Sequence, residues 1–430
     1  MMLHYRFRQL SSYALLVLSA AAVFLFGAAD AVTVALLQLA IALLAAAWAI
    51  RKLRNPYSFA STALYFPFAA ITIAGGIQLL LGTSITPYGT QHGLSLWLVY
   101  AAFFVIAVNV QADPTIRAQW PLGACWLALA VSATAIVQML FSRDHVLWRS
   151  VPGSHSFGPF ADAEHFAILA ELLFPIALVT ALETRHRFLL GLAAATALAA
   201  AAAASGSRMG LILLVAEFAI ILIAEITTLT MKRGREARRI VSSIGGLALV
   251  AAVMIVATVM ERMDPSRRDA VSTIDSGSLG AAAWYLFEQQ PVIGHGLGSF
   301  FVAHDAAFSS ATTAGLVGAE PFRLAAELGV AGVAAQVLLF GLLLIMARTR
   351  RAWLAGVVPL AAAWTHSWAY GWLGSPALVL IALGVLALVA TDGVVRTVKG
   401  IFRPKANSAS TTQTHQNHSP QRAYQVSSSE

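Results

Sequence analysis

The residues with the most chemical potential in this 430-residue chain are charged side chains set among apolar runs. Arg208 stands in Ser205-Gly206-Ser207-Arg208, between two such runs. A guanidinium stays ionised, and its fork meets phosphate oxygens through paired charge-assisted hydrogen bonds. The small neighbours let a headgroup reach the backbone, and the start of the following helix adds a favourable partial charge. The alternative is an arginine that snorkels to a membrane surface. Arg143 and Arg149 flank the segment leading to Gly158–Ala167, and Arg267 and Arg268 open a long stretch from residue 261 to 329. Together with Arg208 they form a candidate site for an anionic substrate.

Proton transfer needs a positioned carboxylate or imidazole. The 261–329 stretch supplies Asp264, Asp269, Asp275, Glu288, His295, His304, Asp305, Glu320 and Glu327, while His165 and His366 fall near the ends of apolar runs. Glu171, Glu217 and Glu225 lie within such runs, where a carboxylate is costly unless paired or facing a cavity. Glu217, nearest the middle, reads either as a proton relay or as a hydrogen-bond partner inside the bundle. There is no His-Glu-x-x-His and no Gly-x-x-x-x-Gly-Lys, so no metal or nucleotide cofactor is expected. The glycines of Pro291–Phe300 follow a helix rather than a strand, which argues against a dinucleotide site.

The elements that hold these residues are membrane spans. Hydrophobic residues make up 58% of the chain and charged residues 11%, too few to cover a water-facing surface. The apolar runs predict about twelve transmembrane helices, near Ser12–Ala28, Val32–Ile50, Ala60–Leu81, Leu94–Val110, Leu122–Phe141 and Phe166–Leu182. They continue at Phe188–Ala204, Met209–Leu229, Ile240–Met260, Gly332–Ala347, Ala352–Trp368 and Pro376–Val395. The first run also has the look of a signal peptide, but its length and the span that follows favour a retained helix.

With a cytoplasmic N-terminus and alternating sides, 21 of the 28 lysines and arginines fall inside. The other seven, Arg143, Arg149, Arg208, Arg262, Arg267, Arg268 and Arg323, are all arginines. That bias supports cytoplasmic termini and an outward-facing, periplasmic 261–329 loop. The net charge of +8 therefore reflects span ends rather than nucleic-acid binding. The single cysteine, Cys125, allows neither an intrachain disulfide nor a cysteine metal cluster. The expected organisation is an all-α polytopic membrane protein. Residues 1–165 form the N-terminal helices, 166–402 a core that includes the loop, and 403–430 a polar cytoplasmic tail expected to be disordered.

Five segments together resemble the O-antigen ligase and polymerase family of bacterial envelope polysaccharide enzymes. They are Gly158–Ala167, Ser207–Gly210, Trp284 with Pro291–Phe300, Glu327–Gly332 and His366-Ser367. The resemblance implies a metal-independent glycosyltransferase of the bacterial inner membrane. Its donor would be an undecaprenyl-diphosphate-linked glycan and its acceptor a saccharide or lipid, with other polysaccharide assembly proteins as partners. It implies substrate binding by Arg208, Arg149, Arg267, Arg268, Glu164, His165 and His366. The family's usual His-Asn pair falls on Gly318 and Ala319, its usual arginine before the tryptophan on Gly280, and its two asparagines on Asp162 and Glu164. Glu320 or His304 is therefore expected to take the proton-accepting role. The alternatives are a transporter or lipid-linked glycan flippase, and a catalytically inactive assembly subunit.

Overall fold

The computed structural model describes residues 2–25, 27, 30–54, 59–141, 145–147, 149–150, 156–231, 276–308, 320–371 and 373–401. Its first half contains α1 (Met2–Phe24), α2 (Ala31–Arg54), α3 (Tyr65–Leu81), α4 (Pro87–Gln111), a single turn α5 (Pro114–Arg117) and α6 (Trp120–Phe141). A two-residue hairpin, β1 (His145–Val146) with β2 (Arg149–Ser150), precedes α7 (Ala163–Glu183), α8 (Phe188–Ser205) and α9 (Arg208–Met231). Then come α10 (Ser276–Gln289), α11 (Phe300–Phe308), α12 (Glu320–Leu328) and α13 (Val330–Met346). A turn at Arg350–Ala352 and a π turn at Trp353–Val357 lead into α14 (Val358–His366), and α15 (Pro376–Ile401) follows.

Among the described residues seven helices are long and apolar enough to cross a membrane, and α3, α13 and the first part of α15 are shorter apolar helices. The chain is an all-helical, membrane-embedded protein. Eleven of the twelve predicted spans fall on described helices; the ninth, Ile240–Met260, lies outside the described residues, as does the 403–430 tail.

α7 is the axis of the bundle. Every residue from Ala163 to Ala181 except His165 is buried, as expected for a helix that is apolar all round. It starts where it does because the Asp162 carboxylate accepts from the Glu164 amide at 3.0 Å, an N-cap. The alanine-rich α8 lies hard against it. A Cβ on Gly191 would sit 2.6 Å from the Ala177 carbonyl oxygen, so only glycine allows this approach.

The two ends of the bundle differ. One end gathers basic residues. Arg51 lies over the Phe7 ring at 4.4 Å, Arg187 donates to the Ala118 carbonyl at 2.8 Å, Arg351 reaches Glu183 at 3.5 Å, and Arg350 pairs with Glu225. At the other end α7, α9 and α13 begin, α8 and α14 finish, and α12 sits. This second end is called the site end below.

Candidate functional site

Two acidic clusters occupy the site end. The first is built on α7, α9 and α14. Ser207 caps α9, its hydroxyl accepting from the Gly210 amide at 3.0 Å, and it donates in turn to Glu164 Oε2. Glu164 Oε2 lies 3.1 Å from His366 Nε2, and His366 Nδ1 lies 2.6 Å from Glu171 Oε1. His366 and Glu171 are fully buried and Glu164 nearly so. A neutral imidazole donates from one nitrogen only, so two shared protons are needed to satisfy both contacts. The imidazole holds both, or one carboxyl contributes the second. Arg208, the next residue after Ser207, is exposed at the first turn of α9.

The second cluster is on α12, where Glu320, Arg323 and Glu327 share one helical face. Arg323 Nη1 meets Glu320 at 3.3 Å and its Nε meets Glu327 at 3.0 Å, and both carboxylates are buried. Burial pushes the Glu320 carboxyl above the usual carboxylate range, although Arg323 pulls it back. Burial alone would lower the Arg323 guanidinium, but Glu320 and Glu327 raise it above its ordinary value. The cluster lines a cavity of about 430 Å³ whose other walls include Tyr88, His92, Trp97 and Tyr100. The buried Tyr100 hydroxyl has no hydrogen-bond partner among the described residues.

Backbone contacts tie the glycine-rich segment 291–300 to α12. His295 N donates to Ala326 O, Gly296 N to Glu327 O, and Val330 N to Pro291 O, at 3.0, 3.0 and 2.7 Å. Gly294 has φ +75°, and a Cβ there would come within 2.4 Å of the Glu327 carbonyl. From α3, the buried Gln78 amide clamps the same junction. Its nitrogen donates to Ile293 O and Glu327 O, and its oxygen accepts from Leu297 N.

The two clusters meet through the turn after α14. Glu320 N donates to Ser367 O at 3.2 Å, and His165 Nε2 lies 2.9 Å from Gly371 O. A Cβ on Gly371 would lie 2.5 Å from Glu320 Oε1. All five segments noted in the sequence therefore lie at one end of the bundle, linked directly or through this turn.

Among the residues expected to act, Glu164 and His366 are in direct contact, with Arg208 adjoining. His165 holds the connecting turn, and Glu320 lines the cavity while paired with Arg323, the salt bridge that its i,i+3 spacing allows. His304 is not in the cavity wall. It packs between the Phe300 and Phe308 rings, with Nδ1 3.5 Å from Asp305. His295 is likewise structural in its contacts, its Nε2 2.9 Å from Leu286 O. Arg149 belongs to β2, but its side chain lies outside the description, and Arg143, Asp264, Arg267, Arg268, Asp269, Asp275, Gly318 and Ala319 are outside the described residues.

Of the carboxylates within spans, Glu171 and Glu225 are paired as their cost requires. Glu217 is not: both of its oxygens are buried without a hydrogen-bond partner among the described residues, so the hydrogen-bonding role is not fulfilled. Sequence reasoning missed Gln78 and Tyr100; it met Ser207 within its segment and Arg323 among the seven arginines away from the assumed cytoplasmic side. No group of three His, Cys, Asp or Glu side chains is arranged to hold a metal among the described residues. Compared with known proteins, the chain matches no family model and no curated sequence.

Proposed function

We propose that this protein is a glycosyltransferase of about twelve spans in the bacterial inner membrane. It moves a glycan from an undecaprenyl-diphosphate carrier onto a saccharide or lipid acceptor at the periplasmic face, as a polymerase or a ligase of envelope polysaccharide. The observation that supports this best is convergence. Five segments scattered from residue 158 to 367, each resembling a family motif, meet at the end of the bundle opposite the basic residues. That sidedness also agrees with cytoplasmic termini, since lysine and arginine favour the inner side.

In this reading the donor's diphosphate lies against Arg208 at the mouth of α9, where helix start and guanidinium both favour negative charge. The α12 cluster carries two carboxylates for one arginine, a poor setting for a second anion. It suits the polyhydroxy acceptor, whose hydroxyls can meet Glu320 and Arg323 beside Trp97 and Tyr100. Glu320 accepts the hydroxyl proton as the oxygen attacks the anomeric carbon. The bond from that carbon to the phosphate oxygen breaks, and the diphosphate leaves on its lipid.

The test is substitution of Arg208 in membranes holding normal amounts of protein. Arg208→Ala is expected to abolish transfer, and Arg208→Lys to recover little because the fork is lost. Full activity in Arg208→Ala membranes would return this residue to a snorkelling role. Sidedness has its own test. A cysteine at Ser309 should react with an impermeant maleimide in intact spheroplasts and one at Ser408 should not, while the native Cys125 is buried and contributes no background.

A further inference from the structure

The basic end of the bundle holds a chamber that glycan transfer does not use. It measures about 120 Å³ and lies between α5, the last turns of α7, α15 and the turn that leads into α14. Arg117, Arg351, Thr349 and Asp392 supply its polar wall. Arg351 reaches Glu183 at 3.5 Å, and Asp392 accepts from the Thr349 amide at 3.1 Å. The Arg117 guanidinium has neither a hydrogen bond nor a close ion pair among the described residues, Asp392 being the opposite charge that acts on it. Its fork is left to meet the oxygens of a phosphate.

Ile176 of α7 and Leu388 of α15 line both this chamber and an apolar groove of about 310 Å³. Trp120 in the groove and Pro121 in the chamber are consecutive on α6, so the two spaces adjoin. Apart from Ser19, the groove's side chains are aliphatic or aromatic. Val17 of α1 and Trp126 of α6 stand at its rim, 64% and 60% exposed, so it opens sideways from the bundle. Its depth matches one leaflet. Asp392 in the chamber and Ile381 in the groove are eleven residues apart on α15. That is a rise of roughly 16 Å, about half of a hydrocarbon core roughly 30 Å thick.

We propose that this end of the bundle holds one phospholipid, its phosphodiester against Arg117 and Arg351 and an acyl chain in the groove between α1 and α6. Basic pockets between membrane helices are suited to lipid headgroups. Asp392 receives a donor of the headgroup, a hydroxyl or an ammonium. A soluble phosphate ester would fill the chamber alone, whereas the adjoining groove is apolar and extends one leaflet deep. The site lies at the opposite end from Arg208 and needs only a membrane-embedded chain, so it stands or falls apart from the glycan-transfer reading.

The test is equilibrium binding of radiolabelled dioleoyl-phosphatidylethanolamine to the full chain in detergent, with inorganic phosphate and dioleoylglycerol as competitors. Wild type should bind the lipid saturably, and neither competitor should displace it. Arg117→Ala should weaken binding at least about tenfold through the lost charge-assisted hydrogen bond. Ala124→Phe, which fills the groove, should weaken it similarly and stands in should Arg117→Ala fail to fold. Displacement by phosphate would mark a site for a free anion, and displacement by dioleoylglycerol a groove that ignores the headgroup. Either overturns the proposal, as does binding that both variants leave unchanged or that wild type never saturates.

Discussion

Two regions at the same end of the bundle solve a similar problem with different cations. Each places two buried glutamates around one basic side chain: Glu164 and Glu171 around His366, and Glu320 and Glu327 around Arg323. A guanidinium keeps its proton at any physiological pH, so Arg323 carries a fixed charge and acts as a clamp. An imidazole exchanges protons through two distinct nitrogens, so the α7–α14 cluster can pass them on. The geometry follows the chemistry. Arg323 faces a cavity large enough for a ligand, whereas His366 is sealed from solvent and connected only to other proton-bearing groups.

The sharpest way to break this comparison is to remove each cation in turn. Arg323→Ala leaves two buried carboxylates without their countercharge and should cost about 3–5 kcal/mol of stability, read as a large fall in Tm. Removing the whole cluster together, as Glu320→Gln with Arg323→Met and Glu327→Gln, should recover most of that loss. His366→Gln keeps a polar bridge between Glu164 and Glu171 and should cost less, about 1–3 kcal/mol. If the histidine variant proves the less stable of the two, the fixed-charge clamp has been assigned to the wrong cluster.

Gly210→Ala probes the framework of the His366 cluster rather than its charges. Its methyl would overlap Ala167, so it should cost about 1–3 kcal/mol, read as a fall in Tm, by forcing α7 and α9 apart. The smallest expected effect is on the pH dependence of the clamp. Burial holds the folded Glu320 carboxyl above its unfolded value, so the native state keeps that proton to higher pH than the unfolded chain. Its contribution to stability is present below the unfolded value and declines as pH rises through the folded one. Glu320→Gln removes that decline. The Tm of the variant relative to wild type should therefore improve as pH rises through the carboxylate range, and an unchanged difference would mean that Arg323 holds Glu320 ionised throughout.

The helical ladder was legible because long apolar runs and basic flanks are local properties. Even the short α3 and the interrupted segment leading into α14 were visible as apolar runs. The site was only partly legible. Arg208, Glu164, His366 and Glu320 stood out by type, but nothing in a linear pattern told that Glu164 and His366 touch across 202 positions. Gln78 and Tyr100 lie in apolar runs that read as ordinary spans, and their roles arise only when α3 and α4 meet α12. His304 shows the opposite error. It had a suitable ring for catalysis, yet tertiary packing turned it between two phenylalanines.

The central claim is that a lipid-diphosphate glycan reacts at this end of the bundle, held by Arg208 and deprotonated at the acceptor by Glu320. Its most direct test is purified protein in liposomes with a labelled undecaprenyl-diphosphate glycan, an acceptor saccharide and no nucleotide sugar. Wild type should transfer the label. Arg208→Ala should lose both donor binding and transfer, and Glu320→Gln should bind donor while transferring at least roughly tenfold more slowly. Transfer by Arg208→Ala at the wild-type rate, or no transfer by wild type with any donor and acceptor pair, would contradict the account.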